Sequence, residues 1–593
     1  VTFRAPVRDI AFSLETAAGY GALAATETYA DWDLETVRTV LEAAGQVADE
    51  VLAPLNRVGD AHGAAYANGT VTTAPGFSDA YRQFSEGGWH GLAAPVEHGG
   101  QGAPKAVEVA ALETFQAANM AFALGPMLTL GAIEALHLVG SERQKALYLD
   151  KLVSGVWSGT MNLTEPQAGT DLAAVTTRAE PDGQGGYLLH GQKIYITWGD
   201  HDCAENIVHL VLGRLPDAPA GTKGISLFLA PKHLVNDDGS LGPRNDLRPA
   251  GIEHKLGIHG SPTCVMAYEG AKAELVGRPN EGLAHMFIMM NAARLQVGVQ
   301  GVGIAERAYQ QALAYARERR QGRSAWTGEA NAPIFDHPDV RRMLAVSRAK
   351  IDAARGICLS CAVAADLARV GPEAERARWK LREELLVPIA KAWSTDVGVE
   401  VASVGVQVHG GMGFVEETGA AQHYRDARIA PIYEGTNGVQ ALDLVGRKLG
   451  MNGGQAVRDL VLDMRRTAAD LAASAEPRLQ STEPPFERAI EAVEAATAWL
   501  LERRGTSQPD VLAGATAYLA LVGDVAGGWT LAKQALAAEA ALASPDADRT
   551  WLTGKIALFR VYADNVLAAS EGRLAAVRQG ADALHALGEA LAA

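Results

Sequence analysis

Glu434 sits in Tyr424-Arg-Asp-Ala-Arg-Ile-Ala-Pro-Ile-Tyr-Glu-Gly-Thr-Asn-Gly-Val-Gln440, a carboxylate at the edge of apolar neighbours and beside a glycine. Asn437 and Gln440 have the spacing of an N-cap and N3 pair for a helix running to Leu449, which leaves Glu434 on the loop before it. Two roles are open to this carboxylate. It can partner the helix dipole, or act as a general base whose pKa rises when a ligand excludes water.

Three further segments carry residue types suited to a ligand. Gln407-Val-His-Gly-Gly-Met-Gly-Phe414 clusters glycines, which let a backbone approach a ligand closely. Met161-Asn-Leu-Thr-Glu-Pro-Gln-Ala-Gly-Thr-Asp171 puts hydroxyls, a glycine and free amides on an irregular loop. Such a loop can bond a heteroaromatic ring edge or cradle phosphate, or it can be an ordinary Pro/Gly turn into a strand. Lys193-Ile-Tyr-Ile-Thr-Trp-Gly199 reads either as a core strand or as an aromatic face with a threonine hydroxyl, fit to lie against a planar cofactor.

These segments must be positioned by regular elements. Apolar residues recur at three and four from Leu34 to Leu152, so helices are expected there, with a loop at Ala94 to Pro104. From Gly155 to Val276 the texture is alternating and β-branched, as in Tyr187 to Thr197, Ile207 to Leu212 and Ile225 to Leu229. Helical periodicity returns over Leu295–Arg320, Val340–Leu367 and Leu385–Val408. Ser474 to Pro485 reads as a polar, proline-rich connector, followed by an Ala- and Leu-rich helical end. The expected division is an extension at 1–34, a helical domain at 35–154, a β domain at 155–278, a helical domain at 279–473 and a last helical domain at 486–593.

Composition removes several alternatives. The chain has 593 residues, 48% hydrophobic and 21% charged, which excludes global disorder and predicts several domains. Its formal net charge is -16, and residues 486–593 hold 9 basic against 13 acidic side chains, a poor match to nucleic acid. The apolar stretch Met120 to Ile133 is interrupted by Gly125, Pro126 and Thr129 and halted by Glu134, so no membrane insertion is expected. The N-terminus lacks an unbroken apolar run, so a cytoplasmic location is expected. Four cysteines make no disulfide framework, and Cys358 and Cys361 have the i, i+3 spacing of helix packing. No GxSxG, HExxH, GxxxxGK[ST] or paired CxxC is present, and no metal site is read. Gly301-Val-Gly303 falls within a helical pattern, where small residues suit close packing.

Taken together and in this order, Thr164 to Asp171, Gln407 to Phe414 and Ile432-Tyr-Glu-Gly-Thr436 resemble the signatures of the acyl-CoA dehydrogenase flavoenzyme family. The resemblance spans roughly residues 35–450, about 70% of the chain. It implies an α+β, mostly helical fold: an N-terminal helical domain, a middle β-barrel-like domain and a helical bundle, here with an extra C-terminal helical domain. It implies FAD as cofactor, an acyl-CoA as substrate and electron transfer flavoprotein as acceptor. Glu434 would be the base that takes the α-proton while a hydride leaves the next carbon for flavin N5, giving a trans-2-enoyl-CoA. The Glu434 backbone N–H and a flavin ribityl hydroxyl would stabilise the charge on the carbonyl oxygen.

Carried over position by position, Leu163, Thr164, Gly169 and Thr170 would meet the flavin or CoA, and Tyr195 and Thr197 the isoalloxazine. Gln407, Gly411 and Thr436 would meet the FAD tail, and Arg319, which alone reads as a solvated helix-end arginine, the FAD of a neighbouring subunit. Thr170, Asn291, Arg294, Tyr433 and Gly435 would meet the substrate. Some branches carry the base just before the equivalent of Arg294, but Ala293 stands there. Two positions depart from the family pattern: Tyr195 replaces a common tryptophan, and Gln321-Gly-Arg323 replaces an aromatic-glycine pair, one residue shorter. The extension and extra domain resemble a long bacterial branch, for which a homodimer is expected. An oxygen-using acyl-CoA oxidase would share nearly all these residues. A DNA-binding damage-response flavoprotein would need a basic stripe that the last domain lacks.

Overall fold

The computed structural model describes residues 2–591 and divides them into two compact units. One comprises residues 44–108 and 114–296, the other the remainder.

The first unit joins helices to a seven-stranded sheet. Its strands run in the order Trp157–Asn162, Asn206–Gly213, Ser226–Pro231, Thr263–Val276, Tyr187–Thr197, Arg178–Pro181, with Leu247–Ile252 also paired to Thr263–Val276. All pairs are antiparallel except the first, Trp157–Asn162 with Asn206–Gly213. The last strand curls back: Ala179 N–H donates to the Arg214 carbonyl and Arg214 N–H to that of Thr177, both at 2.8 Å. This return gives the β-barrel-like form that the family resemblance implies, around a core that includes Leu189, Ile196, Val211, Phe228, Met266 and Tyr268.

Helix Met120–Val139 corrects the reading of the apolar stretch. It continues past Glu134, whose charge is met by Lys105 at 3.3 Å, and is long and apolar enough to cross a membrane. Its window is 78% buried within the protein, with Gly125 against the Trp198 ring and Gly131 against Met289. Asn119 caps it, accepting from Phe122 N–H at 3.1 Å. A second difference is the hairpin Ala65–Ala67 and Thr70–Thr72 within the region read as helical. Asn68 and Gly69 turn it with φ of 51° and 76°, as a two-residue hairpin requires.

The second unit is helical. Gly301 and Gly398 lie where the long helices Gly282–Glu318 and Glu373–His409 touch, and a Cβ on Gly301 would stand 2.3 Å from the Ser394 carbonyl oxygen. Gly301 therefore serves close helix packing, as its place in a helical pattern predicts, with Gly398 as its counterpart on the facing helix. Cys358 and Cys361 are buried in Pro338–Val370. The presumed connector is folded: Glu476 caps a short helix Pro477–Gln480, and Ser474 Oγ donates to Glu539 at 2.8 Å. Its prolines fall in first helical turns, where the missing N–H costs nothing.

Beneath the first unit's sheet, Ser158 Oγ hydrogen-bonds His201 Nε2 at 2.8 Å and Thr160 Oγ1 bonds His209 Nδ1 at 2.7 Å. Burial pushes His90, His201 and His209 down to about 3, with Lys232 adding to the effect at the last two. Their folded pKa values lie below the unfolded one, so the stability they confer is full above pH 6.5 and is lost as pH falls toward 3. Each group contributes a slope of about 1.4 kcal/mol per pH unit within that window. Denaturant midpoints measured between pH 7 and pH 4.5 should fall steeply on the acid side, and His209→Gln should remove about a third of the histidine slope.

Candidate active site

Tyr195 is displayed by a break in strand alternation. Cys264 pairs with Ile196 and Met266 with Lys193, so Ile194 and Tyr195 together oppose Val265 in a β-bulge. Tyr195 takes φ of 59° and its side chain is 60% exposed, while Lys193 and Ile196 on either side are buried. Thr197, at the strand end, is half-buried.

The loop from Leu163 to Asp171 is organised around a buried charge. Glu165 and Ala168 exchange backbone hydrogen bonds of 3.1 and 2.9 Å, closing a tight turn over Pro166 and Gln167. The Glu165 carboxylate accepts from Lys193 Nζ at 2.8 Å, from Thr177 Oγ1 at 2.6 Å and from the Thr176 and Thr177 amides. Burial alone would raise this carboxyl, but Lys193 and the threonine donors outweigh it and hold it at about 2. Lys193 also donates to the Leu163 carbonyl at 2.9 Å, and Ile194 N–H to that of Thr164 at 2.9 Å, so the loop is tied to the bulged strand. Leu163 is buried, Thr164 half-buried, and Gly169 and Thr170 exposed. A Cβ at Gly169 would meet nothing within 4 Å, so this glycine is not needed for packing. Asn291 and Arg294 lie further along the unit on helix Gly282–Glu318, with Arg294 buried and its guanidinium 5.7 Å from the Phe287 ring centre.

Glu434 belongs to the other unit, on a turn between helices Ala420–Ala427 and Asn437–Asp443. Glu434 and Gly435 are consecutive left-handed residues, with φ of 54° and 81°. The capping differs from the spacing-based expectation: Thr436 is the N-cap, its Oγ1 accepting from Val439 N–H at 3.2 Å, and Asn437 is the first helical residue. That frees Asn437 to hang the turn on helix Glu373–His409. Its Nδ2 donates to the Ala392 carbonyl at 3.0 Å, Thr395 Oγ1 at 3.0 Å and Asp396 Oδ1 at 2.8 Å, while Lys391 Nζ donates to its Oδ1 at 2.9 Å. Gln440, buried, donates to the Glu434 and Gly435 carbonyls at 3.3 and 3.2 Å. The helix stops at Asp443 and passes into a π turn, Leu444–Lys448.

Glu434 is half-buried. Beside it the Tyr433 hydroxyl donates to Gln300 Oε1, and burial, with the Glu434 charge, drives its pKa above the ordinary value. A neutral phenol thus stands next to the carboxylate.

Gln407 and Gly411 flank the end of helix Glu373–His409, where Gly410 breaks the helix with φ of 60°; both are exposed, as is Thr436. Arg319 is exposed one residue past helix Gly282–Glu318, its guanidinium donating to Gln321 Oε1 at 2.8 Å. The structure therefore brings Leu163, Thr164, Gly169 and Thr170 to the strand of Tyr195 and Thr197, and gathers Tyr433, Glu434, Gly435 and Thr436 on one turn. Sequence reasoning missed the Glu165–Lys193 pair and the anchoring role of Asn437. Lys193 inside a strand was the available signal, since a lysine there needs a partner when its face is buried.

Known proteins resemble this chain along most of its length. Family models described as "Acyl-CoA dehydrogenase, N-terminal domain", "middle domain" and "C-terminal domain" match residues 35–156, 160–271 and 280–449. A fourth, "Acetyl-CoA dehydrogenase C-terminal like", matches 460–588. The chain is 48% identical over 568 residues to 3-methylmercaptopropionyl-CoA dehydrogenase of Ruegeria pomeroyi, covering 96% of both chains. It is 33% identical to a butyryl-CoA dehydrogenase of Syntrophomonas wolfei, again over 96% of both. Its fold is shared with an acyl-CoA dehydrogenase complexed with FAD from Bacillus anthracis, with a TM-score of 0.74 and 21% identity over 94% of this chain and 90% of that one.

The Glu165–Lys193 geometry yields a stability test. Lys193→Met leaves a buried carboxylate without its cation and should cost about 3–5 kcal/mol in denaturant unfolding. Combining it with Glu165→Gln should recover part of that loss, because the uncompensated charge is then gone.

Proposed function

The chain belongs to the acyl-CoA dehydrogenase family, FAD-dependent oxidoreductases of acyl-CoA thioesters, and from that premise we propose that Glu434 is its catalytic base. The observation that carries this reading is the Glu434 turn itself. It presents a half-buried carboxylate on a left-handed residue, fixed from behind by Asn437 and Gln440.

The residues fit the cofactor. Tyr195 shows its ring on a bulge, Gly169 leaves open space where a Cβ would stand, and the Thr164 and Thr197 side chains are only half-buried. Leu163, Thr164, Gly169, Thr170, Tyr195 and Thr197 would hold the ring and its neighbourhood. Gln407, Gly411, Thr436 and Arg319 would hold the adenine-bearing tail. FAD, when bound, supplies a two-electron acceptor at N5 for the hydride lost from the substrate's β-carbon.

The protein's own part is proton chemistry and orientation. An α-hydrogen of a thioester is weakly acidic, so its removal needs a base in place and donors at the carbonyl oxygen. Glu434 takes the proton, and its backbone N–H is the donor this chain contributes. Asn291, Arg294, Thr170, Tyr433 and Gly435 orient the thioester. Tyr433, kept neutral by burial, adds no competing charge beside the base. Exclusion of water by the bound acyl chain raises the affinity of Glu434 for the proton it must accept. The product is a trans-2-enoyl-CoA.

Electrons then pass to electron transfer flavoprotein. Four free thiols, Cys203, Cys264, Cys358 and Cys361, support a cytoplasmic, reducing setting. Phe414, 89% exposed, with Met412 and Val415 beside Gly411, supports burial of this segment by a second copy in a homodimer. The name of the 48% relative makes 3-methylmercaptopropionyl-CoA the first thioester to try in a panel of acyl-CoAs.

Glu434→Gln should retain bound FAD while anaerobic reduction by acyl-CoA slows by about 10²–10⁴-fold, because the amide keeps shape but accepts no proton. Stopped-flow bleaching of the flavin reads this, and near-normal bleaching removes Glu434 from its role. The wild-type protein should turn over with electron transfer flavoprotein and stall in air without it; rapid turnover in air alone would favour an oxidase.

A further inference from the structure

Three side chains outside the candidate active site converge at the edge of the first unit. Glu97 and His98 belong to the 3-10 turn Val96–His98, and His137 to the last turn of helix Met120–Val139. One ligand atom from each of the three lies within 4.8 Å of the other two. Glu97 is exposed and both histidines are half-buried.

Two observations set this group apart from a chance surface cluster. Asp150, on helix Glu142–Val153, bonds His98 Nδ1 at 2.8 Å. With Nδ1 donating its proton to that carboxylate, Nε2 keeps its lone pair, which is the arrangement by which carboxylates orient metal-binding imidazoles. His137 Nδ1 is buried and has no hydrogen-bond partner among the described residues. A buried ring nitrogen without a partner is costly unless something outside the protein satisfies it.

We propose that Glu97, His98 and His137 form a binding site for one divalent transition-metal ion of the Zn²⁺ class. Two imidazoles and a carboxylate suit Zn²⁺, Co²⁺ or Ni²⁺ and disfavour Mg²⁺ and Ca²⁺, which prefer all-oxygen sets. Ligands on a tetrahedral ion with bonds of 2.0–2.1 Å stand about 3.4 Å apart, so the site closes by a modest contraction, most easily at the exposed Glu97 side chain. Water takes the remaining position. Occupied, the site fastens the Val96–His98 turn to the end of helix Met120–Val139 and, through Asp150, to helix Glu142–Val153. It is independent of the dehydrogenation chemistry.

The test uses the FAD-loaded full chain after dialysis against EDTA, titrated with Co²⁺ and separately with Zn²⁺. One equivalent of Co²⁺ should bind with the intense visible d–d bands of a four-coordinate site, Zn²⁺ should displace it, and Zn²⁺ should raise Tm in a concentration-dependent way. His98→Ala and His137→Ala should weaken binding more than about 100-fold, and Asp150→Asn by about 10-fold. Glu97→Gln, a surface change that keeps the fold, must weaken it as well. Absence of the four-coordinate spectrum overturns the proposal, and so does a spectrum that persists unchanged in the Glu97 and His137 variants, since it would report other histidines.

Discussion

A carboxylate that is to remove a carbon-bound proton has to be held off regular structure, yet fixed as firmly as a helix would fix it. The turn at Glu434 meets both demands of the base proposed for it. Left-handed backbone at a residue with a Cβ costs about 1 kcal/mol or more, and Glu434 adopts it at φ of 54°. Asn437 holds the turn through four partners on one helix, three side chains and the Ala392 carbonyl, and Gln440 binds the two carbonyls that the left-handed pair leaves exposed. The amide side chains thus satisfy polar groups that a helix or strand would otherwise have satisfied. Thr436 completes the arrangement by capping the helix, so that Asn437 need not.

The same logic, with charge in place of amides, appears at two other places in this protein. Glu165 and Lys193 lock the loop beside Tyr195. In the helical unit, Arg355, fully buried, bonds Glu113, Glu306 and Asp352, and Lys555 bonds both Asp352 and Asp9. Through these pairs helices Val7–Thr16 and Arg549–Asn565, far apart in sequence, are joined to helix Pro338–Val370. Buried ion pairs add little net stability over apolar packing, because desolvation offsets their attraction. What they give is directionality, since only one register of the helices brings each charge to its partner.

The parts of this arrangement legible in the sequence were those that write themselves in local pattern. Alternation marked Tyr187 to Thr197 and helical periods marked Leu385 to Val408, and both elements are present. The Glu434 turn was legible as a loop before a helix. Its cap was not, because Thr436, Asn437 and Gln440 all fit a capping pattern, and only tertiary contacts to Ala392, Thr395 and Asp396 decide that Asn437 faces the neighbouring helix. The bulge was invisible because it arises from two unequal strands pairing far apart in sequence, Lys193 with Met266 and Ile196 with Cys264. The apolar stretch from Met120 reads as ending at Glu134, when a lysine from the preceding helix meets that charge and the helix runs on to Val139. Each miss is a long-range partner overriding a local signal.

Backbone strain adds a last line of argument that pattern alone does not reach. Among the described residues, eight non-glycine positions have positive φ, and four are asparagines, which tolerate the left-handed region through local hydrogen bonds. The other four are Tyr195, Trp198, Ile258 and Glu434. Trp198 is held by packing against Gly125 and by its indole N–H donating to the Ala121 carbonyl at 3.2 Å. It lies three residues beyond Tyr195 on the same strand exit. Two of the four residues with no intrinsic liking for this conformation are thus the ring-bearing bulge and the carboxylate turn, and a third braces the bulge. Strain of this kind persists only where surrounding contacts over-determine it. Here those contacts are the Lys193 and Asn437 networks, so the two segments proposed to face cofactor and substrate are each held in a strained conformation by a dedicated polar network.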